Sequence, residues 1–154
     1  MASRIAVLES GLLKQIDTPQ NLYDSPDNLF VAGFIGSPAM NFFPATLQQS
    51  DSKLVVDAGD FTLEIPEDRK NAYQDYAGNP EYVPRGIIAQ PVDTKVDITE
   101  LMGNEIFLFL KSGKHDFVAR VDPRTKAASG QDMQLVFNMD NMHIFDRETE
   151  QAIR

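Results

Sequence analysis

The 154-residue chain has no cysteine and no tryptophan, and only two histidines, His115 and His143. Without thiols, a disulfide-stapled fold and a cysteine-based metal centre are both excluded. No second imidazole lies at ligand spacing from either histidine, which leaves little for a histidine metal site. No apolar run approaches the length needed to cross a bilayer, and no basic start leads into an apolar stretch with a cleavage site. From these absences we expect a cytosolic protein. There is no glycine-rich loop ending in Lys-Ser/Thr and no Gly-x-Gly-x-x-Gly, so the two common phosphate-cradling motifs are missing. Basic residues are also scarce, 14 Lys and Arg against 23 Asp and Glu, for a formal net charge of −9. A surface of that sign repels phosphate backbones, so a nucleic-acid partner is excluded on charge.

What is present is an ordinary globular composition with 42% hydrophobic residues. Two short apolar runs, Ile5 to Leu8 and Leu12 to Ile16, flank Glu9-Ser10-Gly11, which is the form of a β-hairpin. Thr18-Pro19 places an N-cap residue before a proline at the first helical position, and Ser25-Pro26 stops the short helix that results. Asp27-Asn28 can cap a second short helix carrying Leu29, Phe30, Val31, Phe34 and Ile35, which Gly36-Ser37-Pro38 ends.

From Met40 onward the pattern changes to strand-sized apolar pieces. They fall at 41–48, 53–56, 61–65, 82–88, 92–101, 105–111, 116–121, 134–138 and 142–145, and turn residues punctuate them. Such spacing predicts a mainly β fold, a small barrel or meander, preceded by a short N-terminal hairpin and two short helices. Glu67 to Tyr76 is polar with weak periodicity and reads as either helix or loop. The last nine residues read as a polar tail.

No catalytic constellation emerges. His115 sits in Ser112-Gly113-Lys114-His115-Asp116, which reads as a strand-to-strand turn with an exposed imidazole. His143 alternates with Met142 and Ile144 and reads as a strand residue with one satisfied nitrogen. The run from Asp93 to Glu100 contains several carboxylates, which strand alternation would spread along a solvent face rather than gather into one site.

Several stretches resemble one known family, the ATPase subunits of maltose- and multiple-sugar-type ABC importers. Met1 to Leu8 resembles the segment that follows the switch histidine of their nucleotide-binding domain. Residues 15–26 resemble the family's Gln-x-Gly-Thr-Pro-x-x-x-Tyr-x-x-Pro run. Phe30-Val31-Ala32-Gly33-Phe34-Ile35-Gly36-Ser37-Pro38-Ala39-Met40-Asn41-Phe42 is similar, almost letter for letter, to Phe-Val-Ala-x-Phe-Ile-Gly-Ser-Pro-x-Met-Asn-Phe. Residues 97–105, Phe117 to Thr125 and His143 to Asp146 resemble strands of the family's appended OB-like, transport-associated domain. One departure stands out. The family's Gly-Ile-Arg-Pro-Glu is replaced by Gly86-Ile87-Ile88-Ala89-Gln90-Pro91, and the connecting stretch after it is shorter.

The resemblance implies a remnant of the nucleotide-binding domain over residues 1–38 and an OB-like regulatory domain over 39–154. It also implies that the P-loop, signature motif, Walker B acid and switch histidine would lie before Met1, so that ATP and Mg belong to the full-length family and neither cofactor to this chain, which is not an enzyme by itself. The implied partners are a second copy through the C-terminal domain, the transporter's membrane subunits through the ATPase domain, and a regulatory protein, at the cytoplasmic face of the membrane. Residues 4–16 would then leave an unpaired strand edge. Phe34, Ile35, Gly36, Ser37, Pro38, Met40, Asn41 and Phe42 are the candidate interface or hinge residues, because so apolar a run must be covered, either internally or by a dimer partner. A sugar- or oxyanion-binding β-barrel is the alternative, for which the sequence shows no cluster of Ser, Thr and Arg.

Overall fold

The computed structural model describes residues 3–77, 80–84 and 87–154; Met1, Ala2 and Gly86 of the stretches compared above lie outside them. The chain opens with the hairpin β1 (Ile5–Glu9) and β2 (Leu12–Asp17). Ser10 and Gly11 both take positive φ, 50° and 84°, which is the two-residue turn whose twist matches that of the strands. Helix α1 (Pro19–Asp24) follows, with the Thr18 hydroxyl accepting from the Asn21 N–H at 3.2 Å and Pro19 in the first turn. Helix α2 (Leu29–Phe34) starts at Asn28, whose side-chain oxygen accepts from the Val31 N–H at 3.1 Å. Val7, Leu22 and Val31 form a small core beneath these elements.

The body is mainly β and OB-like, two curled antiparallel sheets facing each other. The first contains β3 (Phe42–Ser50), β4 (Lys53–Asp57), β5 (Thr62–Glu64), β6 (Pro80–Pro84), β11 (Ile144–Asp146) and β12 (Ala152–Ile153), in the order β12-β11-β6-β3-β4-β5. The second contains β7 (Ile87–Leu101), β8 (Ile106–Ser112), β9 (His115–Val121) and β10 (Asp132–Asn138), in the order β10-β7-β8-β9. The 92–101 piece is thus the end of one 15-residue strand that begins at Ile87. Alternation does most of the sorting: Leu54 and Val56, Val92, Thr94 and Val96, and Ile106, Leu108 and Leu110 point inward, while Asp93, Lys95 and Asp97 point to solvent. Each fully buried leucine contributes about 2 kcal/mol of transfer free energy. At the centre Phe43, Phe61, Phe117 and Phe137 meet edge-to-face or stacked, with Phe117 and Phe137 at 5.2 Å between centroids.

Glu67 to Tyr76 resolves into the one-turn helix α3 (Lys70–Tyr73) and a 3-10 turn. Two expectations fail. His115 is not an exposed turn residue: it opens β9, is 4% exposed, and its Nε2 lies 3.0 Å from the Ala58 carbonyl oxygen within the aromatic cluster. The turn is Gly113-Lys114 alone, and His115 shares the inward parity of Phe117. Nor is the C-terminus a loose polar tail. Its β12 pairs with β11, Gln151 bridges to Asn28, and Ala152 donates to the Asp27 carbonyl at 2.9 Å. The helical lead-in is thereby tied to the end of the first sheet, where Ala32, Met40 and Phe145 are buried together. Among the described residues, no helix is long and apolar enough to cross a membrane.

Candidate functional site

The segment from Phe34 to Phe42 connects the lead-in to the β body, and the structure divides it. Phe34, the last residue of α2, is 65% exposed and stacks on Phe30 at 5.8 Å. Ile35 turns inward against the Val7, Leu22 and Val31 core. Gly36 has φ 121° with the Pro38 carbonyl and the Tyr23 ring close by, so a side chain at this position would be strained. The Ser37–Pro38 peptide is cis, and the Ser37 carbonyl accepts from Arg120 at 3.4 Å. Met40 is buried and Phe42 packs against the same cluster.

Asn41 has the most specific role. Its amide donates to the Val118 carbonyl at 3.0 Å, and its oxygen accepts from the Val118 N–H at 2.7 Å. Strand β9 is the edge of its sheet. One carboxamide therefore satisfies both backbone groups of an edge residue, as another strand would.

Beside this contact lies a cleft of about 820 Å³, lined by α1, the approach to α3, one edge each of β9 and β10, the turn after β10, and the C-terminus. Arg69 anchors its floor. Its guanidinium donates to the carbonyls of Asp140 at 2.9 Å and Met142 at 2.8 Å and to the Tyr73 hydroxyl at 2.9 Å. Burial raises the Tyr73 phenol, opposed by that guanidinium. Arg154 closes another side, donating to the carbonyls of Ser25 and Pro26 and to Asp27 at 2.7 Å. Between them sits His143. It precedes β11 rather than lying in a strand, and neither ring nitrogen is hydrogen-bonded among the described residues, against the expectation of one satisfied nitrogen. Burial, with Arg69 and Arg154 adding to it, pushes its imidazole from 6.5 down to about 4.

Of the eight candidate residues, Met40 and Asn41 line this cleft and the other six do not. Sequence reasoning missed Arg69, His143 and Arg154 as a group, since 74 residues separate the first two in the chain and no local pattern links them. The spacing of Arg69 and Tyr73 by one helical turn was the single available signal. Among the described residues, no group of three or more His, Asp and Glu is placed to hold a metal ion.

Comparison with known proteins places these features in a family context. Residues 36–83 match the family model described as the MalK OB fold domain. The whole chain is 36% identical to the oligosaccharides import ATP-binding protein MsmX of Bacillus subtilis, covering 45% of that protein. It is also 38% identical to the osmoprotective compounds uptake ATP-binding protein GgtA of Synechocystis over 99% of the chain and 45% of that relative. The multiple sugar-binding transport ATP-binding protein MsmK of Streptococcus mutans is 38% identical over the full chain and 47% of its own length. The chain thus spans about half the length of the curated relatives it matches. The Bacillus match runs over 169 residues against 154 here, so within the matched region this chain is the shorter.

Proposed function

We propose that this chain is the regulatory and dimerisation part of the ATP-binding subunit of an ABC importer for carbohydrates, with the nucleotide chemistry carried elsewhere in the subunit. The observation that carries this reading is end-to-end similarity to three import ATP-binding proteins, combined with the MalK OB fold match at the start of the β body. On this reading residues 1–38 are the last piece of the ATPase domain and residues 39–154 form the transport-associated domain. ATP and Mg are bound by the ATPase domain, which also contacts the membrane subunits. The assembly sits at the cytoplasmic face of the membrane, and a regulatory protein docks on the OB-like body.

The surface supports the division. Leu8, Leu12 and Leu13 of the β1–β2 hairpin are exposed, Leu12 at 69%, and the hairpin pairs with no other strand among the described residues. An apolar, two-stranded ribbon is marginal by itself and calls for a cover. The rest of the ATPase domain supplies that cover in the full subunit.

The test is assembly. Light scattering across a concentration series, alone and mixed with purified Bacillus subtilis MsmX, should show a dimer of this chain and a mixed species of one copy of each. A strict monomer that elutes apart from MsmX at every concentration refutes the dimerisation role.

A further inference from the structure

The cleft has no part in the dimerisation reading, and its chemistry points to an occupant. Its volume of about 820 Å³ falls within the usual size range of small-molecule sites. Four polar side chains on its walls, Asp68, Asp140, Asn141 and His143, make no hydrogen bond or ion pair among the described residues. The polar groups that hold the fold together at this place are different ones. Arg69 is taken up by backbone carbonyls and Tyr73, Arg154 by two carbonyls and Asp27, and Asn41 by Val118. What remains is a set of acceptors, two of them carboxylates, with one amide and one imidazole that can also donate.

Charge then decides the class of ligand. An anion would face Asp24, Asp68 and Asp140, while of the three guanidiniums on the walls Arg69 and Arg154 are already committed and Arg120 is shared between the Ser37 carbonyl and Glu105. A cation would face Arg69, which no carboxylate neutralises among the described residues, and which already disfavours a proton on His143. A neutral molecule with many hydroxyls suits both signs, because each hydroxyl donates to a carboxylate and accepts from an amide. The apolar surface is provided as well. Tyr23 is partly exposed at one wall and Val136, on the outer edge of β10, is exposed at another, which suits the C–H faces of a pyranose ring.

We propose that this cleft binds a neutral, polyhydroxylated small molecule, a mono- or disaccharide, through Asp68, Asp140, Asn141 and His143. The site is independent of the importer reading, since it rests on the residues of the cleft alone. Contacts of this kind on an open cleft give dissociation constants of about millimolar.

The experiment is a titration of the isotope-labelled chain, followed by amide chemical shifts. Glucose and maltose serve as neutral probes, with inorganic phosphate and spermidine as probes of opposite charge. Expected are saturable shifts with one or both sugars, confined to residues around 68–73 and 138–143, and none with phosphate or spermidine. Asp68→Ala and Asn141→Ala should each weaken sugar binding about tenfold, as loss of one good hydrogen bond does. Both positions are solvent-facing, so their spectra report a folded chain, and Lys126→Ala, outside the cleft, should bind as the parent does. Absence of saturation with either sugar, saturation by a charged probe instead, shifts located elsewhere, or unchanged affinity in both cleft variants would each overturn the assignment. None of those outcomes touches the mixed assembly with MsmX, so the two readings fail separately.

Discussion

Removing the Asn41 carboxamide tests how the lead-in is fastened to the body. Its two hydrogen bonds, 3.0 and 2.7 Å to the carbonyl and N–H of Val118, are partly buried on an edge strand. A net contribution of about 1 kcal/mol for each bond gives roughly 2 kcal/mol for Asn41→Ala. The value rises toward about 3 kcal/mol if water cannot reach the freed groups. For a domain of this size that predicts a fall in melting temperature of about 4–8 °C. Denaturant unfolding should show the same loss as a lower midpoint with an unchanged slope. Asn41→Asp keeps the acceptor for the Val118 N–H but loses the donor, so at neutral pH it sets a carboxylate against the Val118 carbonyl and destabilises too. In acid the protonated carboxyl can donate again, and part of the loss should return. A change below about 0.5 kcal/mol in Asn41→Ala would refute the argument, because it would mean that β9 holds its edge without this side chain.

Two other perturbations probe the interior and the cleft. Gly113 has φ 54°, and a side chain there would run into the Asp60 carboxylate, which accepts from the Lys114 N–H at 3.2 Å; Gly113→Ala should cost about 1–3 kcal/mol in denaturant unfolding. His143 binds its proton only near pH 4 in the folded chain against 6.5 when free, so the unfolded chain holds more protons between those values; the stability at stake is present in full above pH 6.5 and lost as pH falls toward 4, up to about 3 kcal/mol. The difference in unfolding free energy between the parent and His143→Gln should therefore shrink in the parent's disfavour over that window, and a pH-independent difference would count against the burial of a neutral imidazole.

The local elements were legible because their signals are short-range. Ser10-Gly11 specifies the turn, Thr18 and Asn28 each cap the helix that follows, and alternation along Val92, Thr94 and Val96 fixes the inner face of β7. His115 was misread because Gly113-Lys114 marks a turn without saying where the turn ends. The correcting signal was its two-residue spacing from Phe117, which puts both side chains on one face. The C-terminal strand had no apolar run to announce it: β12 is two residues long, and Gln151 and Arg154 find their partners more than 120 residues away. The cleft failed to show for a related reason. Its walls come from segments spread from Tyr23 to Arg154, and Arg69 does its work on backbone carbonyls, which no residue pattern records.

The same long-range contacts decide how the lead-in moves relative to the body. Five hydrogen bonds tie residues 25–29 to the C-terminus: Leu29 N–H to Glu150, Ala152 N–H to Asp27, and three from Arg154. Even with the exposed arginine contacts discounted, they amount to about 3 kcal/mol, before the burial of Met40 and Phe145 is counted. Asn41 adds its pair of bonds to Val118 at the body end of the link. A typical coupling free energy between two sites is about 1–3 kcal/mol, which does not suffice to pull both fastenings apart. A swing about residues 35–41 is therefore disfavoured, and a displacement of the lead-in carries the β body with it as one piece. Since Tyr23, Asp24 and Ser25 also wall the cleft, its shape is held by the same fastenings, and an occupant adds contacts across a joint that is already closed.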